Sequence, residues 1–84
     1  MVRLKNIKKS EDNHTIQADY MPEFSEEVGF VLYDYVTEKI IDSKLTSTED
    51  ILPRYRHHAA NGLRDIIKDE SEYGIPETYT VMWY

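Results

Sequence analysis

The chain has 84 residues, 31% of them charged and 40% hydrophobic, with a net charge of -6. That leaves room for one core and no more, so a single globular domain spanning 1–84 is expected. The absence of cysteine excludes disulfides, thiolate chemistry and sulfur-ligated zinc.

Val2 to Ile7 reads as a first strand, with Val2 and Leu4 on one face and Arg3 and Lys5 on the other. The polar run Lys8 to Asn13 reads as a turn. His14 to Met21 alternates again, with Ile16, Ala18 and Tyr20 on one side, and Pro22 should end it because proline cannot donate a ladder hydrogen bond. Val28 to Tyr35 is apolar on both faces: Val28, Phe30 and Leu32 on one, Val31, Tyr33 and Tyr35 on the other. A strand of that kind belongs in the middle of a sheet. After a short connection, Lys39 to Leu45 is the return strand.

One helix follows. Thr48 or Asp50 can cap it and Pro53 suits its first turn. Leu52, Tyr55, Ala59, Leu63, Ile66 and Ile67 fall on one face at the helical period. Ala59 and Gly62 would let the helix approach the sheet closely. Lys68 to Pro76 ends the helix and turns the chain, and Glu77 to Tyr84 is a last strand. The expected fold class is α+β: a mostly antiparallel sheet of about five strands with a single helix packed on one face, in the order ββββαβ.

No apolar run reaches the roughly 18 residues of a membrane span. The start, Met1-Val2-Arg3-Leu4-Lys5, lacks the apolar stretch of an export signal, so a cytoplasmic location is expected. His57 and His58 are adjacent and point about 100° apart on a helix, so they cannot chelate one ion together. No nucleophile elbow, phosphate loop or dinucleotide fingerprint occurs, and the loop carboxylates isolate no acid–base pair. The residues therefore point to a non-enzymatic chain with no catalytic residues, no metal and no cofactor.

Two features remain. If Val28, Phe30 and Leu32 lie beneath the helix, the other sheet face carries Val31, Tyr33 and Tyr35, joined by Trp83 or Tyr84 from the last strand. Such an aromatic patch is the composition of a protein interface. The first expectation is thus an interaction module that binds a protein partner or a second copy of itself through this face.

The second feature is charge. Residues 1–10 carry +4, residues 11–52 carry -9, residues 53–68 carry +3 and residues 69–84 carry -4. Arg54, His57, Asn61, Arg64 and Lys68 form one stripe on the helix, opposite its apolar face. The alternative expectation is a small regulator that meets an acidic partner, or nucleic acid, through this stripe. The acidic net charge weighs against nucleic acid.

The order of elements and the entry Gly74-Ile75-Pro76-Glu77 into the last strand resemble the small antitoxins of the HicB type. The resemblance implies a βββαβ module, similar to double-stranded-RNA-binding folds, set against a toxin. It covers less than half the chain. This sequence adds a strand and lacks the family's aromatic-Pro-Asp-Leu-Pro-Gly-Cys stretch, for which Tyr20-Met21-Pro22-Glu23-Phe24 is the nearest match. No functional residue carries over.

Overall fold

The computed structural model describes residues 1–22, 27–44 and 54–82. The elements are β1 (Val2–Ser10), β2 (Thr15–Pro22), β3 (Gly29–Asp34), β4 (Lys39–Lys44), α1 (Arg54–Tyr73) and β5 (Thr78–Val81). They form one five-stranded sheet in the order β4-β3-β2-β1-β5, with every neighbouring pair antiparallel. The α+β class and the ββββαβ order are as the sequence indicates. The caps Thr48 and Asp50, together with Leu45, Leu52, Pro53, Trp83 and Tyr84, lie outside the described residues.

The first four strands are a meander, and the β1–β2 and β3–β4 turns each carry their own device. In the β1–β2 turn, His14 adopts a positive φ of 56° and the Tyr35 N–H donates to its carbonyl at 3.1 Å. In the β3–β4 turn, the N–H groups of Val36 and Thr37 donate to Asp34 Oδ1 at 2.9 and 3.0 Å. Those bonds hold the Asp34 carboxyl below its ordinary range. β1 runs longer than the alternation of residues 2–7 indicates, because a bulge resets its phase. Asn6, at φ 55°, is the extra residue; its Nδ2 donates to Asp19 Oδ2 at 2.8 Å. Beyond it Ile7 returns to the helix side, and pairing continues through Lys8 and Lys9 to Ser10.

The helix side of the sheet supplies Val2, Leu4, Ile7, Ile16, Ala18, Tyr20, Val31 and Tyr33, all buried. Onto them α1 lays Ala59, Leu63 and Ile66, with Tyr55 and Ile67 partly buried, as its period predicts; Ala60 joins them. Gly62 fixes the closest approach. A Cβ there would lie 2.3 Å from a Val81 methyl and 3.3 Å from Leu4. The helix continues to Tyr73, past the Lys68 at which its end was expected, and stops at Gly74. Gly74 has φ 72° and its N–H donates to the Glu70 carbonyl at 2.8 Å.

One expectation is reversed. Val31 and Tyr33 face the helix, while Phe30 and Leu32 lie half-buried on the far face and Val28 is exposed. The register with β2 decides this, since it sets Tyr33 opposite Ile16, Val31 opposite Ala18 and Gly29 opposite Tyr20. A strand apolar on both faces carries no phase of its own. Its neighbour's alternation, with Ile16, Ala18 and Tyr20 inward, imposes one.

Candidate functional site

The reversal takes the β3 residues out of the expected aromatic patch; Trp83 and Tyr84 lie outside the described residues. Val31 and Tyr33 are 0% and 5% exposed, and Tyr35 packs against the same core. The far face instead mixes Met21, Phe30 and Leu32 with Arg3, Lys5 and Gln17.

The helix stripe, expected opposite the apolar face, borders a cleft along part of its length. α1 packs against β1, β2, β3 and β5, and β4 is left flanking an open cleft of about 820 Å³. One wall is Glu38 of the turn and β4 from Lys39 to Ser43. The other is α1, through Arg56, His57, Asn61 and Arg64, with Ala60 between them and Tyr33 beneath. Three stripe residues, His57, Asn61 and Arg64, thus come together here. Lys68 is exposed further along the helix, and the side chain of Arg54 lies outside the described part.

Two arginines dominate the cleft. Arg56 Nη1 donates to Ser43 Oγ at 3.3 Å, bridging helix and edge strand. Arg64 sits two turns along; its Nε is closed off from solvent and has no hydrogen-bond partner among the described residues. A guanidinium nitrogen so placed is costly, because five donors need acceptors wherever water is excluded. Beneath it the Tyr33 hydroxyl is pushed above its ordinary pKa by burial and by Glu38, with Arg64 partly opposing. The cleft floor therefore presents a neutral phenol. Glu38, Lys39 and Asp42 line the β4 wall, so the cations are concentrated on the helix wall.

Arg56 is the residue that sequence reasoning missed. It falls outside the stripe drawn through Arg54 and His57, but 56, 60 and 64 share one helix row. That row borders the core face, and nothing in the sequence indicates that β4 lies beside it.

No group of three or more metal-ligating side chains occurs among the described residues, and no helix there is long and apolar enough to cross a membrane. No family model, curated protein or solved structure matches the chain. The resemblance to HicB-type antitoxins accordingly stands on Gly74 to Glu77 and the element order alone.

Proposed function

We propose that this chain is a non-enzymatic binding module that takes anionic groups of a partner protein into the cleft between α1 and β4, held by Arg56 and Arg64. The observation that carries the reading is Arg64, which lines the cleft and whose Nε has no hydrogen-bond partner among the described residues. A carboxylate in the cleft pairs with the guanidinium, and bidentate pairing is the arginine's strongest mode. The acidic net charge, with Glu38 and Asp42 on the opposite wall, opposes a polyphosphate backbone more than a few placed carboxylates.

The test is a titration of the ¹⁵N-labelled chain with a tetraglutamate peptide, following arginine Nε–H resonances. Those of Arg56 and Arg64 should move together, and should move equally in a variant substituted at Gln17 on the far face. If they remain unmoved while signals from the far face shift, the site is elsewhere.

A further inference from the structure

β4 is the edge strand of the sheet: among the described residues it pairs with β3 alone. Residues 39–43 form one continuous wall of the cleft, so whatever lies there runs along an edge strand, which carries a row of backbone groups that its one partner strand does not use. Ser43 is the exception, its N–H held by Asp42 Oδ1 at 2.9 Å.

The opposite wall sets a spacing. Arg56 and Arg64 are eight residues apart on α1, about 12 Å along the axis. In an extended chain, residues i and i+4 point the same way and lie about 13 Å apart. The two guanidinium groups thus match one face of a short strand, and Ala60 between them leaves space for a small side chain at i+2.

Charge selects the occupant. A second copy pairing antiparallel about the middle of β4 would set Lys39 against the partner copy's Lys44, which is unfavourable. The same two lysines, with Arg56 and Arg64, favour an acidic segment.

We infer that the cleft binds an extended acidic segment of a partner protein as a sixth strand on β4, with carboxylates at positions i and i+4 of that segment on Arg56 and Arg64. This rests on the reading of the cleft as an anion site and adds to it a mode of binding and a sequence requirement. The backbone supplies affinity and the alternate side chains supply selection.

Two peptides of one composition test it. In acetyl-Thr-Glu-Thr-Ala-Thr-Glu-Thr-amide the glutamates are four apart and share a strand face. In acetyl-Thr-Glu-Thr-Ala-Glu-Thr-Thr-amide they are three apart and point oppositely. The first should shift both arginine Nε–H signals, slow amide exchange in β4 and bind about tenfold more tightly than the second. Arg64→Gln, checked for folding by circular dichroism, should remove that preference.

Equal binding of the two peptides through Arg56 and Arg64, with no protection of β4, overturns strand addition and leaves the anion site standing. No response of either arginine to either peptide overturns both. A self-associating chain whose dimer is broken by Arg64→Gln would give the cleft to a second copy. A twelve-nucleotide RNA that displaces the first peptide would give it to nucleic acid. Either result overturns the inference.

Discussion

Lys9 Nζ lies 2.6 and 2.8 Å from the two carboxylate oxygens of Glu70, across 61 positions of sequence. The pair ties the end of β1 to the last turns of α1. That helix has no basic residue in its own last turn, so Lys9 brings the only cation seen there among the described residues. The ammonium also lies 5.4 Å from the Tyr35 ring centroid, and that ring meets His14 edge-on at 6.0 Å. The Lys9 side chain is 16% exposed, so this contact is better shielded than a typical surface pair.

The hydrogen bonds that Lys9 donates to Glu70 raise the Lys9 pKa above its ordinary 10.5. A raised folded pKa means stability that is complete below the unfolded value and lost as pH rises through the folded one. Lys9→Met should therefore lower the melting temperature, and by more than Lys8→Met on the neighbouring far-face position. The deficit relative to wild type should be constant from about pH 7 to about pH 9 and shrink above 10.5. Melting curves across that range provide the check. A deficit already shrinking near neutral pH would mean that the pair is not the source of the stability.

Tyr20 and Gly29 are a matched pair. They sit opposite each other on β2 and β3, and a Cβ on Gly29 would come within 2.4 Å of the Tyr20 ring. The ring crosses that space, and its hydroxyl donates to the Lys44 carbonyl on β4 at 3.4 Å. Tyr20 is fully buried, so its ring has no room to retreat. Gly29→Ala should cost about 1–3 kcal/mol by overpacking. The same change in a Tyr20→Leu background should cost less than half as much. Urea denaturation of the four proteins gives the coupling, and additive costs would show that the ring does not occupy the glycine's space.

The reversed face of β3 predicts unequal responses along one strand. Tyr33→Ser removes a core ring and should cost about 3–5 kcal/mol, enough to unfold a chain of this size in part. Phe30→Ser, on the far face, should cost about 1–2 kcal/mol at most. Denaturation midpoints compare the two. Equal costs would mean that the far face is as thoroughly covered as the helix side.

Element order and class were legible because each segment carries its own period. Ile16, Ala18 and Tyr20 alternate against polar neighbours, and the helix repeats its apolar residues every three or four positions. Strand β3 has no such contrast, so its phase came only from pairing with β2. The stripe residues His57, Asn61 and Arg64 were legible as a row. That they line a cleft was not, because it depends on α1 seating over β1 to β3 and leaving β4 beside it. The seat is set in part by Gly62 against Val81 and Leu4, contacts between segments far apart in sequence. The bulge at Asn6 was hidden for a related reason: a positive φ at one asparagine leaves no mark on composition.

Val2 pairs with Val81, and β1 is an interior strand only because β5 joins it. On the ribosome the meander through Lys44 is made 37 residues before Val81. At 5–20 residues per second, that is an interval of about 2–7 s. Throughout it, β1 stands as a bare edge with Val2 and Leu4 uncovered, ready to pair with any strand nearby. β5 thus covers an edge that would otherwise be open to pairing, and clipping residues 78–81 from the folded protein would reopen it.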